Sequence, residues 1–220
     1  QEVDDIARED EEACHKIGSN GEVLIPDNCN ILTHCNAGAL ACKRWGTALG
    51  IVRSATSNGK KVHVFASETR PLFQGARLTA WELHRDGINV TVIPDSAAAY
   101  LMQKHTIDLV LVGADRITND FVFNKIGTYM HAVCAQHHGI PFYVAAPLST
   151  FDSHKKNSDI VIEERGRGEV ACCGGQIVIP NHVPVLNYAF DGTPMSLVKA
   201  IVTEKGIFYP PIDVTKVMSS

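Results

Sequence analysis

From Ile31 onward, short β-branched apolar runs alternate with longer amphipathic segments, and this alternation restricts the chain to βα units built around a parallel sheet. The spacing predicts strands at Asn30–Thr33, Val62–Phe65, Val90–Ile93, Leu109–Val112, Phe142–Ala145 and Ile160–Ile162. Most are apolar throughout, as strands covered on both faces are. Helices are predicted at Ala39–Ser57, Gly75–Arg85, Ser96–Lys104, Asn124–His138 and Ser196–Glu204. Asn58-Gly59 and His138-Gly139 end two of them, and Asp95-Ser96 is placed to cap another. The expected fold is therefore α/β and Rossmann-like, a mainly parallel sheet with helices on both faces, over residues 29–220. Residues 1–28 read as an acidic entering helix and linker that follow a region upstream. Gly166 to Gly175 is expected as an exposed loop and Tyr209 to Ile212 as an extended tail, since paired prolines cannot continue a helix.

At 220 residues and 45% hydrophobic content the chain can bury a sizeable core. A formal net charge of -4 gives no broad basic surface, which argues against nucleic acid or an anionic membrane as partner and leaves a small phosphate ester open. No apolar run approaches the roughly 20 residues that span a bilayer, and no secretion signal is present, so the expected location is the cytoplasm. The 7 cysteines lack the spacing of a disulfide framework. Neither a CxxC pair nor an HxxxH helix occurs, so no metal site is expected.

Open parallel sheets bind ligands beyond the carboxyl ends of their strands. The unusual polar residues cluster there: His34-Cys35-Asn36, Glu68-Thr69-Arg70, Asp95-Ser96 and Asp115-Arg116 each follow a predicted strand. Cys35 reads either as a reactive thiol, favoured by a helix start expected near Gly38, or as a small buried hydrophobe. Asp115 reads either as a poorly solvated carboxyl that holds a proton near neutral pH, or as a cap or ion-pair partner of Arg116. Gln74-Gly75-Ala76-Arg77 and Asn124-Lys125 offer donors for a phosphate, with Gly75 allowing close backbone approach. As residue types, Gln, Asn and Lys serve equally as surface or capping groups. Lys43 and Arg44 fit a solvated helix face.

Several strings are collinear with a known family: ILTHCNAGALA (31–41), GTALG (46–50), ETRPLFQGARLTAWEL (68–83), VGADRI (112–117), NKIGTY (124–129) and HHGIPFYVAAPLSTFD (137–152). Over about Ile17 to Pro211 the chain resembles the methylthioribose-1-phosphate isomerase family. Its wider circle includes ribose-1,5-bisphosphate isomerases, deoxyribose-1-phosphate isomerases and regulatory subunits of the eukaryotic translation-initiation guanine-nucleotide exchange factor. The resemblance implies Cys35 and Asp115 as the catalytic pair of an aldose-ketose isomerase, with Gln74, Asn124 and Lys125 on the substrate phosphate. It also implies a homodimer, no cofactor, and further phosphate contacts from a helical N-terminal domain, on this chain or a companion. The sequence departs from the family pattern at Lys43-Arg44-Trp45, at Thr118 to Phe123 and at Asn187 to Gly192.

Overall fold

A computed structural model describes residues 2–42, 44–155 and 159–219, with side chains from residue 8. Gln1 and Lys43, on which parts of the sequence reading fall, lie outside the described residues. The chain begins with α1 (Glu2–Gly21), β1 (Cys29–Thr33), α2 (Ala48–Ser57) and β2 (Val62–Ser67). A π-helical segment, Gly75–Thr79, leads into α3 (Ala80–Arg85), then β3 (Asn89–Ile93), α4 (Ala98–Gln103) and β4 (Leu109–Val112). A hairpin, β5 (Arg116–Ile117) and β6 (Phe121–Lys125), precedes α5 (Thr128–His137) and β7 (Phe142–Ala145). After these come α6 (Arg167–Ala171), β8 (Cys172–Cys173), β9 (Gln176–Ile177), β10 (Phe190–Pro194), β11 (Ala200–Thr203), β12 (Gly206–Phe208) and α7 (Val214–Ser219).

The main sheet has the order β12-β11-β7-β4-β1-β2-β3 and is parallel except for the edge pair β11–β12. Alternate residues of each central strand enter opposite cores, the consequence of the two-residue strand period. Ile31, Val64, Leu109 and Leu111 pack under α1, α2 and α3 with Ile17, Leu49, Ile51 and Leu83. Leu32, Phe65, Val110, Val112 and Val144 pack against α4, α5 and α7 with Met102, Ala132, Ala135 and Val217. Each such fully buried Leu, Ile or Val contributes about 1.5–3 kcal/mol by leaving water, which explains why these strands read as continuous apolar runs. Ile17 and Ile25 belong to the first of these cores, so the entering helix packs on the sheet.

The order reverses between β1 and β4: from β1 the chain winds outward through β2 to β3, and from β4 outward through β7 to β11. Loops leaving β1 and β4 must diverge there, which opens a crevice at the carboxyl ends of those two strands.

Several expectations are corrected. Ser196–Glu204 is not a helix. Ala200–Thr203 is a buried strand parallel to β7, because the β-branched run Ile201-Val202-Thr203 fills both cores at once. Ile160–Ile162 forms no strand, and Val161 is 93% exposed. The helix predicted from Ala39 begins only at Ala48, and the one predicted from Asn124 begins at Thr128. Asp95 does not cap a helix; its carboxylate accepts the backbone N–H groups of Thr69 and Arg70 at 2.8 and 2.7 Å. Within Gly166–Gly175 lie α6 and part of the β8–β9 hairpin.

Candidate functional site

Cys35 follows β1 and takes a left-handed backbone, φ +62°. This conformation costs a residue with a β-carbon about 1–3 kcal/mol and persists only where neighbours enforce it. The loop that does so, Asn36 to Leu40, is tied to α3 by one buried carboxylate. Glu82 accepts from Asn36 Nδ2 (3.1 Å), Ala39 N (2.7 Å) and Leu40 N (3.1 Å), and pairs with Arg53 Nη2 at 2.8 Å. Gly38 is required there, since a β-carbon would lie 2.4 Å from a Glu82 oxygen. Among the described residues no helix starts near Gly38, α2 beginning at Ala48, so the helix end expected from the sequence does not stabilise a Cys35 thiolate. Burial instead pushes the Cys35 thiol above its ordinary value and Asp115 adds to this, while the Asn36 backbone N–H and Lys125 oppose it.

Asp115 follows β4, and its N–H donates to the Phe123 carbonyl at 2.9 Å, which folds the β5–β6 hairpin back over the crevice. Its residue is exposed, yet protein packed around the carboxyl still raises it above the usual carboxylate range; Lys125 and Arg165 pull the other way. The two observations agree for a group in a concave site, where water reaches the oxygens but few waters can surround them. Asp115 also lines a polar hollow of about 380 Å³ with Arg116, Asp152 and His154. A larger hollow of about 670 Å³, between Asn119, Lys199 and Tyr209, shares no residue with this crevice.

Asn124 and Lys125 end β6 in an antiparallel sheet rather than starting a helix, and they stand opposite Asp191 and Phe190 of β10. Both are buried, at 5% and 7% exposure. Lys125 Nζ sits 4.5 Å from the Phe190 ring centre. Asn124 Nδ2 and Gln74 Oε1 are buried without a hydrogen-bond partner, an arrangement that costs about 1–3 kcal/mol each and marks a place where a polar ligand group fits. Gln74 stands at the same edge after β2, but no hydrogen bond among the described residues joins it to the other four. Gly75 is needed for internal packing rather than ligand approach, since a β-carbon would lie 1.8 Å from the Ser67 carbonyl oxygen.

The structure thus brings Cys35, Asp115 and Lys125 within electrostatic reach of one another. It adds groups that sequence reasoning missed. Arg165 acts on Asp115, and its guanidinium lies 6.0 Å from the same Phe190 ring. Asp191 accepts from Gly127 N (2.7 Å) and Tyr129 N (3.1 Å) at the start of α5, and burial raises its carboxyl to about 6. The aromatic and β-branched run Phe121-Val122-Phe123 was the available signal for β6, while nothing local in the sequence marks Arg165.

His34, Asp95 and His131 are the one group among the described residues with metal-ligand spacing, their atoms all within 4.8 Å. They do not fit an ion. His34 Nδ1 lies 2.6 Å from Ser67 Oγ and 3.3 Å from His131 Nε2, and the Asp95 oxygens are engaged by Thr69 and Arg70.

The sequence pattern of the Initiation factor 2 subunit family matches residues 1–210. A putative methylthioribose-1-phosphate isomerase of Archaeoglobus fulgidus is 54% identical over 97% of the chain and 63% of its own length. The methylthioribose-1-phosphate isomerase of Desulforamulus reducens is 58% identical over 96% of the chain and 62% of its own. Among solved structures, 5-methylthioribose 1-phosphate isomerase from Pyrococcus horikoshii OT3 superimposes with a TM-score of 0.95 at 48% identity, over 100% of this chain and 62% of that one. The translation initiation factor eIF-2B, subunit delta, from A. fulgidus gives 0.97 at 53% identity, over 100% and 65%. The chain spans less than two thirds of the length of these relatives.

Proposed function

This chain belongs to the Initiation factor 2 subunit family, and from that premise we propose that it forms the catalytic portion of an aldose-ketose isomerase converting 5-methylthioribose 1-phosphate to 5-methylthioribulose 1-phosphate. The observation that carries this reading is the convergence of a thiol, a carboxyl with raised pKa and a buried lysine where the sheet order reverses. An aldose phosphorylated on its anomeric oxygen has no free aldehyde, so ring opening and proton transfer must both be assisted. In this reading Cys35, as thiolate, takes the proton from C2. Asp115 in its protonated form delivers a proton to the ring oxygen as the C1–O bond breaks. The Asp115 carboxylate then takes the proton of the C2 hydroxyl as the enediol collapses to the ketone at C2, and the proton held by the thiol is returned to C1, so that both groups regain their starting forms. Gln74, Asn124 and Lys125 hold the phosphate throughout.

The same reading takes residues 29–220 as the catalytic domain of a cytoplasmic homodimer, with residues 1–28 joining it to the helical N-terminal domain that the resemblance implies. The test is product formation from 5-methylthioribose 1-phosphate by the whole protein, followed by NMR with substrate deuterated at C2. Turnover is expected with part of the label lost to solvent, by exchange at the Cys35 thiol before C1 is protonated, and the rest carried to C1. Full retention of label would replace the enediol by a hydride shift.

A second reading, a non-catalytic subunit of the exchange-factor type, is favoured by the likeness to the eIF-2B subunit delta structure. It expects binding of a sugar phosphate or nucleotide without turnover.

A further inference from the structure

The left-handed backbone of Cys35 is held between two threonine hydroxyls, and both side chains are fully buried, at 0% exposure. On one side, Cys35 N–H donates to Thr69 Oγ1 at 2.9 Å, and that hydroxyl gives its own proton to the Ser67 carbonyl at 3.0 Å. On the other, Thr79 Oγ1 donates to the Cys35 carbonyl at 2.6 Å and accepts from Asn36 Nδ2 at 3.1 Å. A hydroxyl has a single proton, so each of these directions is fixed. Gly75 leaves room for the first of these hydroxyls: a β-carbon there would stand 3.0 Å from Thr69 Oγ1. Thr79 itself closes the π-helical segment, a wide turn of the kind that recurs at functional sites.

The Cys35 carbonyl and the Asn36 N–H belong to one planar trans peptide and point in opposite directions. Holding the carbonyl at Thr79 therefore aims the N–H, the backbone group that favours the Cys35 thiolate against its burial. We propose that Thr79, with Thr69 as its counterpart, is a positioning residue for Cys35: together they clamp the backbone on either side of the thiol, so that the Asn36 N–H faces the sulfur and stabilises the thiolate. This rests on the reading of Cys35 as the base. The clamp matters because no helix end serves the sulfur, since α2 starts only at Ala48. Of the charged groups around it, Lys125 favours the thiolate and Asp115 opposes it. Neutral His34 precedes Cys35 in the chain, and the Glu82 carboxylate holds the side chain of Asn36.

The test is the pH profile of Cys35 alkylation by iodoacetamide, read at the Cys35 peptide by mass spectrometry in the whole protein, with turnover measured in parallel. Thr79→Val keeps the shape and removes the hydroxyl. Its profile is expected to move up by about one pH unit, a tenfold slower alkylation at fixed pH, with kcat reduced on the order of 10- to 100-fold and KM within threefold. Thr69→Val should shift the profile in the same direction. Thr79→Ser, which keeps the hydroxyl, should retain the wild-type profile and turnover. A Thr79→Val profile that overlays the wild type, or a Thr79→Ser profile shifted as far as that of valine, overturns the clamp. Should Thr79→Val not fold, Thr69→Val decides, an upward shift of its profile supporting the clamp and a profile that overlays the wild type overturning it. Failure of the base reading is distinct: Cys35→Ser would then turn over normally whatever the alkylation profiles do.

Discussion

Asp115 and Cys35 follow neighbouring strands, β4 and β1, and the negative charge of the first opposes ionisation of the second. Burial raises both groups above their ordinary values, so the neutral carboxyl and the neutral thiol are each favoured relative to water. A mechanism that needs thiolate and carboxylic acid together therefore runs through a minor protonation state of a coupled pair. The expected kcat profile is a bell whose acid limb lies above the normal carboxyl range and whose alkaline limb lies above the normal thiol range. Asp115→Asn removes the proton donor and is expected to lower kcat by about 10²- to 10⁴-fold, and to abolish the alkaline limb, since no acid remains to be deprotonated. An Asp115→Asn enzyme within threefold of wild type at every pH would exclude this role.

Lys125 serves two partners at once, the proposed phosphate and the Cys35 thiolate. Lys125→Met keeps an unbranched apolar stem against Phe190 and removes the charge. KM for the sugar phosphate is expected to rise about 10- to 100-fold, the value of one charge-assisted hydrogen bond in a buried place. Cys35 alkylation should also slow at fixed pH, because the thiolate loses the cation that favours it. Steady-state kinetics and alkylation rates on one protein preparation check both; an unchanged KM would remove Lys125 from the phosphate site.

The sequence carries the central strands and the loops that follow them. The central strands announced themselves because burial on both faces demands unbroken apolar runs, and the loops after them carried Cys35 and Asp115 in plain view. The antiparallel hairpin that delivers Asn124 and Lys125 was not legible in the same way. Phe121-Val122-Phe123 is short, and the helical residues after it drew the boundary forward. Ala200–Thr203 was misread for a related reason: four apolar or β-branched residues fit a helix turn as well as a strand until their neighbour β7 decides. The threonine clamp and the Glu82 anchor were invisible because they join residues dozens of positions apart through side-chain hydroxyl and carboxylate oxygens, which leave no periodic trace.

Glu82 is 3% exposed and joins Arg53, 8% exposed, in a buried ion pair that Asp86 extends through Arg53 Nη2 at 2.7 Å. Removing one member leaves the other charge buried with fewer partners, which is more damaging than the pair is stabilising. Glu82→Ala should cost about 3–5 kcal/mol, and Glu82→Gln less, since the amide oxygen still accepts from Ala39 or Leu40. Urea unfolding of both variants measures this. A loss below about 1 kcal/mol for Glu82→Ala would mean that the Glu82 carboxylate does not anchor the Cys35 loop.

His34 and His131 give the fold an acid limit. His34 Nε2 faces the Ile126 carbonyl at 2.8 Å and so carries the proton, which leaves Nδ1 as an acceptor, 2.6 Å from Ser67 Oγ and 3.3 Å from His131 Nε2. His131 Nδ1 has no partner. A second proton on either ring would create a buried cation beside another donor, and burial accordingly holds His131 down to about 3 and lowers His34 as well. With the folded value below the unfolded one, the unfolded chain binds more protons between these limits. The His131 contribution is then complete above about pH 6.5 and falls as pH drops toward 3, by about 1.4 kcal/mol per pH unit, with His34 acting in the same direction. His131→Gln keeps a nitrogen donor toward His34 and cannot take up a proton. Between pH 7 and pH 5 the wild type is expected to lose about 2 kcal/mol more stability than this variant, as measured by urea unfolding at the two pH values. Parallel losses in the two proteins would show that the acid sensitivity arises elsewhere in the fold.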